Sequence, residues 1–335
     1  MIRQDRATGL RFIVAVHSTV LGPALGGLRL RRYPGGLSEA LADVMGLART
    51  MTLKASAAGL SLGGGKAVMI DDGLADTRDA RLIQAAGVID ELDGAYITAE
   101  DIGTTTADMD LMSRHTPYVV GRSLGRGGGG DPSPVTAETV YQAMRRGLAA
   151  ATGSDEPGDR RVGVVGLGKV GYALAARLAG AGADVVACDL DGARAERCAA
   201  EHGIRVAPSA EAVLAMPLDV VAPCAAGGMI DDALGRALDC RVVAGAANNP
   251  LTNREVARTL ARRGILYVPD FLANCGGLIH VAREWYGQEG PDESVLVDRA
   301  MDCLERAIVT AEAEGSTPVD VAERQALERV ASARP

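Results

Sequence analysis

The sequence predicts an α/β protein with two domains, and three observations lead to that prediction. The chain has 335 residues, 47% of them hydrophobic, which suffices for two domains of roughly 100–200 residues each. In the second half of the chain, short apolar strands alternate with helical segments, which is typical of a mostly parallel, doubly wound sheet. The first 120 residues carry buried strands and an amphipathic helix of their own, so we expect a separate α/β domain there.

The first domain is predicted from three strand-like runs and one helix. The runs span residues 12–16, 67–70 and 95–98. The helix begins near Ser38 and keeps its apolar residues on one face. These bounds place Lys66 at a junction between a loop and a strand, and Asp101 just beyond a strand end, where rigid scaffolds often carry chemistry. Thr105 and Asp108 have the spacing of a capping box, which predicts a helix start.

A segment rich in glycine and proline, residues 125–134, separates the two halves of the chain. Its five glycines and two prolines are too many for a regular element and favour a flexible crossing between domains. A helix is predicted over about 136–151, and a largely helical stretch over about 295–330 ends the chain. Six strands are predicted between them, at residues 162–165, 185–188, 204–206, 220–222, 242–244 and 265–268.

Composition and charge narrow the class of ligand. The net charge of -8 argues against a nucleic-acid partner, because phosphate backbones are bound by clustered Lys and Arg. We find neither a signal-peptide-like start nor an apolar run of about 18 residues, so we expect a cytoplasmic protein with no membrane partner. The six cysteines show no CxxC spacing, which favours reduced thiols and implies no metal site. A small solute is the expected ligand.

A nucleotide-binding motif follows the first strand of the second half. Gly166, Gly168 and Gly171 form a GxGxxG pattern, and Lys169 and Val170 stand inside it. Such glycines permit a tight turn, close approach of the backbone to a pyrophosphate and close packing of helix on strand. The alternative is a glycine-rich turn that only lets a helix pack. The strand–turn–helix context favours dinucleotide binding in a Rossmann domain.

The next strand ends in Asp189, 18 residues beyond Gly171, near the spacing of the acid that accepts the ribose hydroxyls. A carboxylate there repels the 2′-phosphate of NADP, so the sequence favours NAD. Arg194 on the following helix could offset that repulsion, although an arginine facing water is the commoner case. We therefore predict a Rossmann NAD-binding domain over 136–289. The catalytic domain is predicted over 1–135, completed by C-terminal helices within 290–335.

The run Gly63-Gly64-Gly65-Lys66 supplies a candidate reacting group. A lysine behind three glycines can approach a small substrate closely, because glycine has no side chain in the way. A phosphate loop is excluded, since that motif needs glycine where Leu60 stands and Ser or Thr where Ala67 stands. The run therefore indicates a catalytic amine.

The order of the motifs resembles the glutamate/leucine/phenylalanine/valine dehydrogenase family, whose members deaminate amino acids oxidatively. The resemblance covers nearly the whole chain and is carried by residues 21–27, 51–54, 58–66, 96–104, 131–134, 222–225, 245–249 and 269–277. It implies an NAD-dependent enzyme that forms a homo-oligomer. It also implies that the small-molecule substrate is an amino acid or its 2-oxo acid.

The resemblance implies roles for the matched polar residues. Lys66 is the base that activates water, with a pKa lowered by burial and nearby positive charge, and Asp101 shuttles protons. Lys54 stays charged and holds the substrate carboxylate. Taken alone, Lys54 would be a solvated surface charge, and Asp101 a helix-capping acid near Thr104. Asn274 matches the position that hydrogen-bonds the substrate or the nicotinamide.

Further cofactor contacts are implied at four positions. Asn248 and Asn249 match the family's cofactor loop, and Ala225 lies in the matched run 222–225. Thr136 either touches the cofactor or only caps a helix.

The choice of amino acid depends on pocket size, where one methylene discriminates by only about 1–3 kcal/mol. The positions Leu25, Gly26, Gly27 and Ala99 match the leucine and valine dehydrogenase patterns. Leu272 is expected to line the same pocket, and its bulk favours branched chains over aromatic rings. A branched-chain substrate is therefore predicted. The alternatives are an aromatic (phenylalanine) dehydrogenase and a catalytically silent NAD-sensing protein.

Overall fold

The computed structural model describes residues 1–73 and 75–333, so residues 334 and 335 of the predicted C-terminal segment lie outside the described residues. The chain separates into two compact units. Unit 1 comprises Met1–Pro132, Leu278–Leu296 and Ala326–Pro335, and unit 2 comprises Ser133–Gly277 and Val297–Gln325. The predicted domains 1–135, 136–289 and 290–335 stay predictions, and they differ from this division chiefly over residues 297–325.

Unit 1 is built on a mixed five-stranded sheet. Its strands are β1 (Ile2–Asp5), β2 (Leu10–Ser18), β3 (Ala24–Arg31), β4 (Gly63–Ile70) and β5 (Tyr96–Glu100). Their order across the sheet is β1-β2-β4-β3-β5, in which β3 is parallel to β4 and β5. The β1–β2 and β2–β4 pairs are antiparallel. The three predicted strands all belong to this sheet, and β1 and β3 are additions that the sequence did not predict.

Three helices cover the two faces of this sheet. They are α1 (Gly36–Ala57), α2 (Arg78–Asp90) and α3 (Thr106–Met112). Side chains alternate along β2, so Phe12 and Val14 pack with α2 and α3, while Ile13 packs with α1. The predicted capping box at the start of α3 is confirmed. The Thr105 hydroxyl accepts the backbone N–H of Asp108, whose carboxylate accepts the Thr105 N–H at 2.8 Å.

The glycine run before Lys66 belongs to β4 and not to a loop. Gly63, Gly64 and Gly65 pair with neighbouring strands, and every residue of β4 is buried. The predicted loop-to-strand junction is therefore wrong. Glycine counts against a strand on propensity, but here neighbouring segments approach so closely that they leave no room for side chains.

Unit 2 holds a fully parallel sheet of six strands. They are β6 (Arg161–Val165), β7 (Asp184–Cys188), β8 (Arg205–Val206), β9 (Val220–Pro223), β10 (Val242–Val243) and β11 (Leu266–Tyr267). Their order is β11-β10-β9-β6-β7-β8. The chain starts at the centre and winds outward first on one side and then on the other, which is the doubly wound arrangement. The predicted fold class is confirmed.

The described residues contain ten further α-helices. They are α4 (Ser133–Thr152), α5 (Lys169–Gly180), α6 (Gly192–His202), α7 (Ala210–Leu214), α8 (Asp232–Ala237), α9 (Arg254–Arg262), α10 (Asp270–Ala273), α11 (Gly276–Tyr286), α12 (Glu293–Glu314) and α13 (Pro318–Ser332). The helical stretch predicted over 295–330 is thus two helices. Gly315 takes φ +63° directly after α12, and a left-handed glycine is a common way for a helix to end.

Candidate active site

Backbone packs closely around β4. A Cβ added at Gly65 would lie 2.7 Å from the ring of Tyr96. One added at Gly26 would collide with the carbonyl of Gly65, and one added at Gly64 would overlap the backbone of Thr52 in α1. The glycines therefore let α1, β3 and β5 close tightly on the strand that carries the candidate base.

Lys66 and Asp101 meet in the interior of unit 1. Lys66 is 3% exposed, and its ammonium nitrogen makes a short ion pair with Oδ2 of Asp101. Asp101 follows β5 directly, and its Oδ1 accepts the backbone N–H of Ile102 at 2.6 Å. The Thr104 hydroxyl fixes this turn, since it accepts the Asp101 N–H at 2.9 Å and donates to the Leu28 carbonyl at 2.8 Å. The structure thus brings the two predicted reacting groups together.

A second cation, Arg29 in β3, extends this ion pair. Its Nε lies 3.2 Å from Oδ1 of Asp101, and its Nη1 lies 3.1 Å from Oδ2 of Asp43 in α1. Tyr33, in the segment between β3 and α1, donates its hydroxyl to the same Asp43 oxygen at 2.6 Å. Lys66, Asp101, Arg29 and Asp43 therefore form a continuous chain of alternating charge, in which each member is held by its neighbours.

Burial and neighbouring charges shift the pKa values of both predicted reacting groups, Lys66 and Asp101. Burial, reinforced by the Arg29 guanidinium, lowers the pKa of Lys66, although Asp101 and Asp43 act in the opposite direction. Burial acts to raise the pKa of Asp101, but Lys66 and Arg29 outweigh it and hold that pKa at about 2. Asp101 is therefore ionised at neutral pH, and Lys66 can lose its proton at a lower pH than a solvated lysine.

The other predicted substrate residues of unit 1 lie on three elements. Lys54 is in the last turn of α1 and is partly exposed. Gly27 lies against Asp101, since an added Cβ would be 2.8 Å from the Asp101 Cβ. Ala99 is the register partner of Gly27 and is buried, as is Leu25. Their assignment to a substrate pocket stays a prediction.

The predicted nucleotide motif forms the turn between β6 and α5. Gly166 has φ +100°, and an added Cβ would lie 2.8 Å from Ala225. A Cβ at Gly171 would collide with the carbonyl of Gly166, whereas one at Gly168 would meet no atom within 4 Å. Gly168 is the residue before α5. Two glycines therefore pack the turn, and the third leaves open space at a helix N-terminus, where a pyrophosphate is favoured.

Polar groups flank this turn. Lys169 and Val170 open α5, the first exposed and the second partly exposed. Asp189 directly follows β7, and its Oδ2 accepts the backbone N–H of Leu167 at 2.6 Å. Its Oδ1 lies 3.5 Å from Nη1 of Arg194. The carboxylate thus ties the glycine turn to the second strand, and Arg194 neutralises part of its charge.

Asn274 ends α10 with one oxygen unsatisfied. Its Nδ2 donates to the Ala246 carbonyl at 3.0 Å and to Oδ1 of Asn248 at 2.9 Å. Its own Oδ1 is buried and has no hydrogen-bond partner among the described residues. A buried acceptor of this kind points to a donor that this part of the chain does not supply. Asn249 continues the loop at φ +48°, and its N–H donates to Asp270 at 2.7 Å.

Leu272 and Thr136 are two further residues of unit 2 that were predicted to belong to the site. Leu272 lies in α10 and is completely buried, so its place in a substrate pocket stays a prediction. Thr136 lies in the first turn of α4, which begins at Ser133. The alternative that Thr136 caps this helix is therefore wrong, and its contact with a cofactor stays a prediction.

Arg29, Asp43 and Tyr33 were not predicted from the sequence. A usable signal existed for two of them, because a charged residue at a core position needs a buried partner. Arg29 stands between Leu28 and Leu30 in a short apolar strand. Asp43 directly precedes the buried residue Val44 on the inner side of α1. Tyr33 carried no comparable signal.

Across 1–73 and 75–333, no group of three or more His, Cys, Asp or Glu side chains is arranged to hold a metal ion. No helix within those residues is long and apolar enough to cross a membrane. All six cysteines are free thiols.

Three family descriptions match parts of the chain, and two of these parts overlap. Residues 2–118 match "Glu/Leu/Phe/Val dehydrogenase, dimerisation domain". Residues 192–335 match "Glutamate/Leucine/Phenylalanine/Valine dehydrogenase". Residues 136–226, which include the glycine turn, match the NAD-binding domain of D-isomer-specific 2-hydroxyacid dehydrogenases.

Individual relatives match over almost the full chain. A leucine dehydrogenase of Thermoactinomyces intermedius is 39% identical over 327 residues, which cover 98% of this chain and 89% of the relative. A valine dehydrogenase of Streptomyces coelicolor is 40% identical over 334 residues, which cover 99% and 92%. The crystal structure of an L-tryptophan dehydrogenase from Nostoc punctiforme superposes with a TM-score of 0.85 at 32% identity, covering 99% of this chain and 95% of that one.

Proposed function

The chain belongs to the glutamate/leucine/phenylalanine/valine dehydrogenase family, and we propose that it catalyses the NAD-dependent oxidative deamination of a branched-chain L-amino acid, leucine or valine. The products are the 2-oxo acid, ammonium and NADH, and the reaction is reversible. The observation that carries the proposal is the buried ion pair between Lys66 and Asp101. A buried amine with a lowered pKa is the group that this chemistry needs as a base.

Lys66 acts on water. Deamination requires water to add to the carbon of the imine, and a base that removes a proton from that water makes it a better nucleophile. A solvated lysine is almost fully protonated at neutral pH. Burial and Arg29 lower the pKa of Lys66, so its neutral amine forms more readily than that of a solvated lysine.

Asp101 and Lys54 are the other two residues of unit 1 to which we assign a role in the reaction. Asp101 is ionised and in contact with Lys66, so it can take up the proton that the base or the substrate amino group gives up. Lys54 at the end of α1 supplies a positive charge for the substrate carboxylate, a point-charge role that suits an ammonium group.

The residues of unit 2 fit NAD. Open space over Gly168 at the start of α5 allows the backbone to approach a pyrophosphate, and Lys169 and Val170 stand at the same helix end. Asp189, which directly follows β7, is the residue that accepts the ribose hydroxyls in this proposal. The unsatisfied Oδ1 of Asn274 can accept an N–H from the nicotinamide amide or the substrate amino group. When bound, NAD accepts the hydride from the substrate α-carbon.

A branched aliphatic side chain is favoured by two observations. The leucine and valine dehydrogenases are 39–40% identical to this chain, compared with 32% for the tryptophan dehydrogenase. The residues predicted to line the pocket, Leu25, Ala99 and Leu272, are all apolar and leave no charge to meet the carboxylate of a glutamate side chain. An aromatic substrate is thus the less favoured reading. The presence of Lys54, Lys66 and Asp101 speaks against a silent NAD sensor.

We further propose a homo-oligomer that works in the cytoplasm. Residues 2–118 match a domain described as a dimerisation domain, which supports assembly through unit 1. Six free thiols fit a reducing compartment.

One spectrophotometric experiment tests the activity, the substrate and the cofactor together. The purified protein is assayed for kcat/KM on leucine, valine, phenylalanine, tryptophan and glutamate, each with NAD and with NADP. We expect leucine or valine with NAD to exceed every other combination. Higher kcat/KM on an aromatic amino acid would overturn the substrate assignment, and no turnover with any amino acid would overturn the proposed activity.

A further inference from the structure

Arg29 and Asp43 have no part in the roles given above, yet both belong to the charge chain that ends at Lys66. We infer that Arg29 is a positioning residue which, balanced by Asp43, orients Asp101 and sets the pH range in which the Lys66–Asp101 pair works. The inference rests on the proposed function, because it assumes that this pair is the reacting pair.

The two carboxylate oxygens of Asp101 have different partners. Oδ1 receives Nε of Arg29 at 3.2 Å and the backbone N–H of Ile102 at 2.6 Å. Oδ2 is left to the Lys66 amine. Two donors on one oxygen prevent rotation of the carboxylate, so Oδ2 stays aimed at the amine.

Arg29 is itself held from the opposite side. Its side chain is 12% exposed, and Asp43 receives Nη1 at 3.1 Å. Asp43 also accepts the Tyr33 hydroxyl at 2.6 Å. The guanidinium is planar and rigid, so a carboxylate on each side fixes both its position and its orientation.

The charge around the pair is nearly balanced. The charged and titratable side chains on the elements packed against β4 near the pair are His17 of β2, Arg29 of β3, Asp43, Arg49 and Lys54 of α1, Tyr96 and Glu100 of β5, and Asp101. Several of them are occupied away from the pair. His17 Nδ1 is 2.9 Å from the Thr52 hydroxyl, Tyr96 donates to the Gly26 carbonyl, and Glu100 accepts from Thr106 at 2.9 Å. Besides Asp101, Arg29 and Asp43 are the charges that act most strongly on Lys66.

Arg29 and Asp43 act on Lys66 with opposite signs. The positive charge of Arg29 disfavours the ammonium form of Lys66, and the negative charge of Asp43 favours it. Removing Arg29 should therefore move the working range of Lys66 to higher pH. Removing the charge of Asp43 should move it to lower pH.

A purely structural role makes a different prediction. If Arg29 and Asp43 only joined β3 to α1, both substitutions would lower the melting temperature and leave the pH dependence unchanged. The sign of the pH shift separates the two roles, because no loss of packing explains opposite shifts from two partners of the same ion pair.

The activity test uses pH profiles of kcat and kcat/KM for Arg29→Gln, Arg29→Lys, Asp43→Asn and Tyr33→Phe. We expect the basic group in the Arg29→Gln profile to shift up by about one pH unit and in the Asp43→Asn profile to shift down by a similar amount. Arg29→Lys keeps the charge and should restore most of the profile. Tyr33→Phe should shift it least. Arg81→Gln is the matched control, because Arg81 is also buried in unit 1 and is paired to a carboxylate, that of Asp72.

A second readout does not depend on turnover. The chain has three lysines among 335 residues, namely Lys54, Lys66 and Lys169, so lysine labelled with 13C at Cε gives three NMR signals. Lys54→Arg and Lys169→Arg spectra assign the signal of Lys66. Its titration in the free protein is then followed in the wild type and in each variant.

The two readouts separate the possible failures. Opposite shifts of the Lys66 signal in Arg29→Gln and Asp43→Asn would support the inference, and matching shifts in the activity profiles would support the role of Lys66 as base as well. NMR shifts without activity shifts would refute Lys66 as the base while leaving the electrostatic effect standing. An unmoved Lys66 signal in both variants, or shifts of the same sign, would overturn the inference. If Arg29→Gln does not fold, the isosteric Asp43→Asn alone decides, since a rise or no change is contrary to expectation.

Discussion

Two glycine-rich segments of this chain, residues 63–65 and 166–171, look alike in sequence and differ in what their glycines do. In β4 the glycines have no side chains, so neighbouring segments pack directly against the strand. The lysine that follows them is buried. In the turn before α5, Gly168 has no atom within 4 Å of its added Cβ position. One segment excludes solvent from the proposed base, Lys66, and the other leaves open space where we propose that a pyrophosphate binds.

The two segments differ because a base with a lowered pKa and a bound pyrophosphate require different surroundings. Lys66 needs a dry, enclosed position, because burial is the largest cause of its lowered pKa. A pyrophosphate needs access to free backbone N–H groups at a helix start. Glycine serves both purposes, and only the surroundings show which one applies.

Replacing the base should have the largest effect on the first segment. We expect Lys66→Ala to lower kcat by at least about 10³-fold, because general acid–base groups typically contribute 10²–10⁴ and water addition here depends on one. NADH binding, followed by fluorescence titration, should be retained, since the nucleotide turn lies in unit 2. The spectrophotometric assay at saturating substrate measures the loss.

Near-normal turnover of Lys66→Ala would remove Lys66 from the mechanism. Loss of NADH binding in the same variant would instead indicate general misfolding. Circular dichroism and Lys66→Met, which keeps most of the side-chain volume, separate those two outcomes.

Matched alanine substitutions test the contrast between the glycines directly. Gly26→Ala puts a Cβ into the carbonyl of Gly65, and such overpacking costs about 1–3 kcal/mol. The melting temperature should fall by several degrees, at roughly 2–4 °C per kcal/mol for a domain of this size. Gly168→Ala has free space for its Cβ, so it should melt as the wild type does, while its Kd for NADH should rise on the order of tenfold as the methyl group obstructs the pyrophosphate.

The opposite results for these two variants would contradict the difference between the two glycine-rich segments. A stable Gly26→Ala protein would mean that β3 and β4 can separate without cost. Unchanged NADH affinity in Gly168→Ala would mean that the open space is not where the pyrophosphate lies.

The sequence was a good guide to unit 2. Five of its six strands contain uninterrupted apolar runs, the exception being β8 with Arg205, and all six are separated by helical segments, so the local pattern located them. The glycine turn and Asp189 followed from their spacing along the chain. These features depend on local pattern, which a single sequence carries.

The interior of unit 1 was harder to predict because its features depend on contacts between distant residues. A run of three glycines is locally a poor strand, and only the contacts with Thr52, Tyr96 and Gly26 make it one. Arg29 bridges Asp43, which is 14 positions away in the sequence, and Asp101, which is 72 positions away. The pairing of Lys66 with Asp101 could be expected from the family resemblance, whereas the support behind Asp101 could not.

A smaller effect is expected at the second segment from Asp189→Asn. The substitution keeps the shape of the side chain and an oxygen for the Leu167 N–H, but it removes the charge that repels a 2′-phosphate. Arg194, now released from its ion pair with Asp189, can approach the phosphate. We expect the ratio of Kd values for NADPH and NADH, measured by fluorescence titration, to fall on the order of tenfold.

The double variant Asp189→Asn with Arg194→Gln is the control for that prediction. It should regain part of the preference for NADH, because the cation that attracts the 2′-phosphate is gone. A ratio unchanged in the single variant would show that Asp189 does not face the ribose.

The smallest expected effect concerns acid stability, and it belongs to the enclosed site. The pKa of Asp101 is held at about 2, compared with 3.8 for an unperturbed aspartate, because Lys66 and Arg29 outweigh the effect of burial. A carboxyl with a depressed pKa in the folded state stabilises that state fully above its unfolded value, and the contribution is lost as the pH falls from about 4 towards 2. At 1.36 kcal/mol per pKa unit the contribution is about 2 kcal/mol.

Urea unfolding between pH 6 and pH 3 should therefore show a steeper loss of free energy of unfolding for the wild type than for Asp101→Asn. The comparable substitution Asp184→Asn at the exposed ion pair with Arg205 should leave the slope unchanged, since both side chains are largely solvated. Equal slopes for wild type and Asp101→Asn would mean that the ion pair is open to solvent, and the contrast between an enclosed and an open glycine-rich segment would then no longer hold.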